Sequence, residues 1–246
     1  MSDKNSQHSI YEATRTRSKF SGHGKAKGAA GYNRKRELRS KSGFVLKSGE
    51  SHKIKPIEDG FSDIKIACSW NPVQIKNPSF LGKFVKPVIQ QEVDLDLGCL
   101  YELRDGTRGA IQAFGNLHGS HKNPPYIHLS EDERTGEKEG YDEMLVINGQ
   151  NWPMINRILV YTYIYEGVAD WQQVAPEIHL SMFQFDPITL TLTMHEKHLN
   201  LCVIATMENW HNGISITNRT EYYPGHNEMD RAYGFGLNWG DGRKSD

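Results

Sequence analysis

The chain has 246 residues, 37% of them hydrophobic and 24% charged, with a formal net charge of −1. That apolar content can close one good core, which excludes a wholly disordered or fibrous chain, and all-β domains of about 200 residues commonly form a single unit. No run of about eighteen apolar residues occurs, which excludes a transmembrane helix, and the three cysteines have neither an even count nor metal-ligand spacing, which argues for reduced, buried thiols.

The near-neutral total hides an asymmetry. Up to Gly49 there are twelve Lys and Arg against three acids, so a basic tail precedes an acidic body. Residues 1–42 are rich in Ser, Gly, Lys and Arg, with Tyr11, Phe20 and Tyr32 as isolated aromatics. They hold too little apolar surface to offset the entropy of ordering and read as a disordered tail. The tail lacks the apolar stretch of a secretory signal, so the expectation is a cytoplasmic protein, with peripheral contact to the inner membrane left open through the basic residues.

After the tail, short β-rich runs dominate. Residues 45–54 read as a hairpin around Ser48-Gly49, followed by strands over 64–70, 93–103 and 110–114. Asp105-Gly106 supplies the turn between the last two, because Asp-Gly readily takes the positive φ of a tight hairpin. The stretch 74–90, with Pro78 and Pro87, has neither a helical nor a strand period and reads as an insertion loop. Further strands are read over 144–147, 158–165, 177–185, 190–194, 201–207 and 214–220, and only 169–174 looks helical. Such a series predicts an all-β, two-sheet sandwich over 43–240, with 241–246 as a short C-terminal tail.

The most informative segment lies between Ser130 and Glu143. It carries Glu131, Asp132, Glu133, Glu137, Glu139, Asp142 and Glu143, with Gly136 and Gly140 to let the chain turn. Drawing several carboxylates together costs Coulomb repulsion unless a hard cation sits among their oxygens. A solvated surface loop is the plainer explanation of an acidic run alone. A second acidic pair shifts the balance: in Val93-Asp94-Leu95-Asp96-Leu97, period-two alternation puts Asp94 and Asp96 on one face of a strand and the apolar residues on the other. Aspartate is a poor strand former, so the pair either protects an exposed edge or delivers oxygen ligands toward the loop.

An all-oxygen cluster favours calcium over zinc, which prefers nitrogen and sulfur, and a dense protein cage favours calcium over magnesium. Residues 132–143 have the length of an EF-hand loop. Arg134 and Gly136 nevertheless stand at its third and fifth positions, and Glu137 replaces its central glycine, which excludes that fold.

Other constellations are weaker. His195-Glu196-Lys197-His198 lacks the four-residue spacing that puts two histidines on one helical face, and an exposed turn explains it. Ser120 and Ser130, near His118, His121 and His128, have no nucleophile-elbow pattern around them. Gly234-Phe235-Gly236 is too short for a phosphate loop, and its glycines read as easing strand packing. Asn218-Arg219-Thr220 is a glycosylation sequon in form only.

Val45-Leu46-Lys47-Ser48-Gly49-Glu50, Ile64-Lys65-Ile66-Ala67-Cys68-Ser69-Trp70-Asn71, Val93-Asp94-Leu95-Asp96, Phe114-Gly115-Asn116, Asp132-Glu133-Arg134-Thr135-Gly136 and Gly140-Tyr141-Asp142-Glu143 occur in an order and spacing that resemble the TerD-type tellurium-resistance and stress-response family. The similarity continues through Arg157-Ile158-Leu159-Val160, Tyr163-Ile164-Tyr165-Glu166 and Gln173-Val174, covering residues 43–240, and the aromatic end Tyr233-Gly234-Phe235-Gly236-Leu237-Asn238-Trp239 looks like the TerA branch. The resemblance implies a calcium-binding β-sandwich without catalytic activity, holding one or two Ca2+ ions and working beside other stress and tellurite-resistance proteins. By position it implies Asp94, Asp96, Asp132, Glu133, Glu139, Asp142 and Glu143 as ligands, with Asn116 as a neutral oxygen donor. Tyr141 stands where the family places a carboxylate, which weakens one of two expected metal positions. The competing reading is a polyanion binder, in which the tail makes weak contacts with nucleic acid or an anionic membrane without reading sequence.

Overall fold

The computed structural model describes residues 10–13, 43–70, 73–75, 89–91, 93–130, 143–166, 170–192 and 196–242. Its strands are β1 (Ile10–Ala13), β2 (Phe44–Leu46), β3 (Ser51–Ile54), β4 (Ile64–Ser69), β5 (Val73–Ile75), β6 (Ile89–Gln91), β7 (Asp94–Leu103), β8 (Arg108–Ile111) and β9 (Gly119–Ser120). They continue with β10 (Ile127–Leu129), β11 (Glu143–Ile147), β12 (Ile155–Glu166), β13 (Glu177–Ser181), β14 (Ile188–Leu190), β15 (Leu201–Trp210), β16 (Gly213–Tyr223) and β17 (Trp239–Gly242). Two helices, α1 (Trp171–Val174) and α2 (His226–Tyr233), and a 3₁₀ turn over Gly149–Met154 complete the described elements. None of these helices is long and apolar enough to cross a membrane.

The expected two-sheet sandwich is the observed fold. A seven-stranded sheet in the order β2-β14-β13-β4-β11-β10-β9 packs against a six-stranded sheet in the order β3-β16-β15-β12-β7-β8. Alternation fixes which side chains enter the space between them: Leu145 and Ile147 of β11, Ile64, Ile66 and Cys68 of β4, and Leu95, Leu97 and Cys99 of β7 share one buried cluster. Each such Leu or Ile contributes about 1.5–3 kcal/mol by leaving water. Cys68, Cys99 and Cys202 are buried free thiols, as their apolar contexts indicated.

A second apolar layer lies on the outer face of the six-stranded sheet. Leu100, Leu159, Tyr161, Tyr163, Leu201 and Val203 point outward there and are covered by Met229 of α2 and by Phe235 beyond it. Arg157 fastens this cover, donating from Nη1 to Tyr233 O at 2.9 Å and from Nη2 to Gly234 O at 3.3 Å. Arg108 does the same to Phe235 O at 3.0 Å. Glu102 holds both guanidiniums, and together with Asn156 they overcome its burial and keep its carboxyl below the usual range.

Three sequence expectations change. The strands read as a hairpin over 45–54 lie in different sheets, β2 beside β14 and β3 beside β16. Lys47–Glu50 is therefore a corner between layers, closed by Glu50 N–H on Lys47 O at 3.0 Å and by Lys47 N–H on the Glu50 carboxylate at 2.8 Å. The helix α2 has no counterpart in the sequence reading, because Gly225 provides no side-chain cap and the segment is mostly polar. Gly234, at φ 66°, closes that helix in the left-handed conformation rather than easing a strand.

The expected Asp-Gly hairpin is present, with Gly106 at φ 85° and its N–H on Leu103 O at 3.0 Å. The short helix expected over 169–174 is α1, capped by Asp170 accepting from Gln172 N–H at 3.2 Å. The 74–90 insertion opens and closes on the β5–β6 ladder, and its interior lies outside the described residues. So does most of the basic tail, whose one described segment, β1, runs parallel to β17 with Ile10 opposite Trp239.

Candidate functional site

β7 brings the first two acidic residues to one end of the sandwich. Val93, Leu95 and Leu97 enter the core, while Asp96 lies on the opposite face at 2% exposure and Asp94 is half-buried. Burial of Asp96 rules out a charge that merely guards an exposed edge. β8 pairs only with residues 99–102 of β7, so among the described residues the stretch 94–98 has a strand partner on one side alone, β12.

Glu143 of the other sheet fills the open side. It begins β11 opposite Cys68, is 8% exposed, and its Oε2 accepts from Leu97 N–H. That bond ties the two sheets at their acidic end. Thr162 steadies the same stretch by donating from Oγ1 to Asp96 O at 3.0 Å.

Tyr161 reports on both carboxylates. Its ring lies over Gly98, where a Cβ would meet the phenol carbon Cζ at 2.6 Å, and its hydroxyl donates to Gln112 Oε1 at 3.0 Å. Burial pushes this phenol well above its ordinary range, and the negative charges of Asp96 and Glu143 add to the push. Asp96 and Glu143 come from different sheets, and the Glu143 bond to Leu97 N–H brings its carboxylate to the residue next to Asp96.

The acidic loop leaves and returns at this end. Ser130 N–H donates to Met144 O at 2.8 Å, so its two ends are held as neighbours in the β10–β11 ladder. Asp132, Glu133, Glu139 and Asp142, like Glu131 and Glu137, lie outside the described residues. Among the described residues, no group of three or more His, Cys, Asp or Glu side chains is placed to hold a metal ion. Asn116 stands apart from the carboxylate pair, exposed at φ 54° in the turn that the Gln112–Leu117 bridge closes, where it lines a surface cleft with Arg108, Ser120, Pro125 and Leu237.

The weaker constellations resolve as structural features. Ser120 accepts from Asn123 N–H at 3.1 Å, and His121 pairs with Asp63 at 2.8 Å, so neither builds a Ser–His relay with the other. Glu196 folds back on the N–H groups of Lys197 and His198, as in a turn, and His195 lies outside the described residues. Asn218 is completely buried, donating to Leu46 O at 2.8 Å and Thr191 O at 2.9 Å, which leaves its amide no access to a glycan.

Two residues with chemistry escaped sequence reasoning. Asp230 is 3% exposed and accepts from Gly236 N–H, Leu237 N–H and Trp239 Nε1–H, all at 2.7 Å. His226 is fully buried among aromatic rings, which push its imidazole down to about 3 by excluding water. Neither belongs to a motif; Asp230 takes its partners from the turn six to nine residues on, whereas the rings around His226 at Phe114, Tyr161 and Tyr163 are remote in sequence and only the fold assembles them.

No family model matches the chain. It is 35% identical over 185 residues to the tellurium resistance protein TerA of Alcaligenes sp., a match covering 75% of this chain and 53% of that protein. The chain therefore spans about half the length of the curated relative that it matches. Among solved structures it is similar to a homologue of the telluride resistance protein TerD from Streptomyces coelicolor A3(2), with 13% identity and a TM-score of 0.43, covering 72% of this chain and 99% of the other. Over the stretch shared with its curated relative, this chain is similar to a tellurium resistance protein of the TerA kind.

Proposed function

We propose that this protein is a calcium-binding, non-enzymatic scaffold of the tellurite-resistance and stress type, acting in the cytoplasm beside other proteins of that system. The observation that supports the reading is a pair of buried carboxylates, Asp96 and Glu143, brought near each other by the Glu143 bond to Leu97 N–H where the acidic loop leaves and returns. The donors are hard oxygens, with no sulfur or imidazole among them, and they fit a calcium ion. Asp94, Asp96 and Glu143 would hold the ion from the strands, and Asp132, Glu133, Glu139 and Asp142 would complete one or two sites from the loop, with Asn116 as an outlying neutral oxygen. The bound ion would supply positive charge that relieves the repulsion among these groups, fix the loop and prepare a surface for partners. The relative's name, tellurium resistance protein, supports the physiological setting.

Charge distribution favours a second role alongside the first: the basic tail binds polyanions, nucleic acid or an anionic membrane surface, weakly and without sequence preference.

Calorimetric titration of chelator-treated protein with calcium and magnesium tests the main reading. Calcium at a hundred times its dissociation constant should stabilise the fold by about 2.7 kcal/mol. Asp96→Asn and Asp142→Asn should each weaken binding about tenfold or more, whereas Glu131→Gln should matter less. Equal losses at all three positions, or a melting curve indifferent to millimolar calcium, would sink the proposal.

A further inference from the structure

The cover on the outer face of the six-stranded sheet is closed by a histidine. His226 opens α2 and has no exposed surface. Its ring centroid lies 5.1 Å from those of Tyr161, Tyr163 and Trp239 and 5.8 Å from that of Phe114. Neither ring nitrogen has a hydrogen-bond partner among the described residues. An apolar side chain would fill such a box without leaving buried nitrogens unsatisfied, so an imidazole here carries a stability cost that a structural role alone does not explain.

The groups around it give a charged imidazole nothing to pair with. From β12 come the phenols of Tyr161 and Tyr163, and from β17 and the turn after β8 come the uncharged rings of Trp239 and Phe114. Asp96 of β7 is the register partner of Tyr163, and burial is the cause that lowers His226. Asp230, one turn further along α2, has its carboxylate committed to Gly236, Leu237 and Trp239. The N-terminus of α2 also disfavours a cation.

We propose that His226 is an acid-released latch: protonation expels its imidazole from the ring box, and the segment from α2 through β17 lifts off the six-stranded sheet. Release uncovers Leu100, Leu159, Leu201 and Val203, an apolar surface that the neutral protein hides. The latch needs no metal and is independent of the calcium reading. Its sign follows from which state takes the proton. Above the ordinary imidazole range, about 6.5, both docked and released forms are neutral and docking is at full strength. Below it the released form is protonated first, and docking weakens about tenfold per pH unit until the pH nears the docked value of about 3.

Amide hydrogen exchange on the full chain tests the proposal. Between pH 7.5 and 4.5, after correction for intrinsic exchange, protection across residues 226–242 should fall about a hundredfold while β12 and β15 keep theirs. His226→Phe fits an aromatic box without a titrating group and should abolish the acid response; His226→Leu serves should the Phe variant fail to fold. The same acid loss in the substituted protein overturns the latch. So does loss of protection in β12 and β15 together with the segment, which would mean global unfolding.

Discussion

Asp230 should be the costliest single carboxylate to remove from the described structure. Its two oxygens receive three N–H donors at 2.7 Å, two from the backbone after α2 and one from the Trp239 indole, at 3% exposure. Hydrogen bonds to a charged group contribute about 1.5–3 kcal/mol each, and a buried donor left without a partner costs about 1–3. Gly236 is exposed and Leu237 only half-buried, so water can reach their N–H groups after Asp230→Ala. The loss should therefore be about 3–5 kcal/mol rather than the full sum. For a domain of this size that is a fall in Tm of about 6–20 °C. Asp230→Asn retains one carbonyl oxygen that can serve two of the donors and should lose about half as much. Chemical denaturation gives the free energies, and hydrogen exchange at residues 234–242 locates them. A loss below about 1 kcal/mol for the alanine variant would refute the view that this carboxylate holds the cover in place.

Two further substitutions probe the layers. Gly98→Ala puts a Cβ 2.6 Å from Tyr161 Cζ and 2.9 Å from Ile111 O, against a ring with no room to retreat, and should cost about 2–4 kcal/mol by denaturation. A near-neutral result would mean that the Tyr161 ring is free to move. Asn218→Ala removes a side chain of the six-stranded sheet that bonds Leu46 O and Thr191 O beside the other sheet and accepts from Thr220 Oγ1 at 2.7 Å. It should cost about 2–4 kcal/mol, mostly from carbonyls left unsatisfied, and a loss confined to a few tenths would show that water replaces the amide.

What the sequence conveyed depended on whether the information was local. Period two along Val93-Asp94-Leu95-Asp96-Leu97 was enough to assign faces, because a strand has only two and the core claims one. The Asp105-Gly106 turn was equally legible, since its geometry is set by two residues. Lys47–Glu50 misled because a hairpin turn and a corner between sheets begin with the same local chemistry and differ only in the distant strands, β14 and β16, that receive the flanking segments. For the candidate site, the sequence named Asp94, Asp96 and Glu143 but not Tyr161, the phenol raised further by the charges of Asp96 and Glu143. Nothing in an alternating β12 marks Tyr161 as the tyrosine that feels carboxylates from both sheets.

The acidic end and the ring box share the outer face of one strand pair. Tyr163 lies opposite Asp96 in the β7–β12 ladder and touches His226, while Tyr161 feels Asp96 and Glu143 and touches His226 as well. Gly98 sets their spacing, because a side chain there would displace the Tyr161 ring. A cation among the carboxylates and a proton on the imidazole would therefore act on the same two phenols. They would influence each other only if those rings have two arrangements, since affinity for one ligand changes with another only through states that both distinguish. The packing on this face argues for a single arrangement in the neutral protein: Tyr161 is fixed by its bond to Gln112 and by Gly98 beneath it, and Tyr163 by Phe114 and His226. Loss of His226 from the box removes a wall common to both, which makes departure of the latch, rather than a shift of the tyrosines themselves, the event through which acid would reach the carboxylate pair.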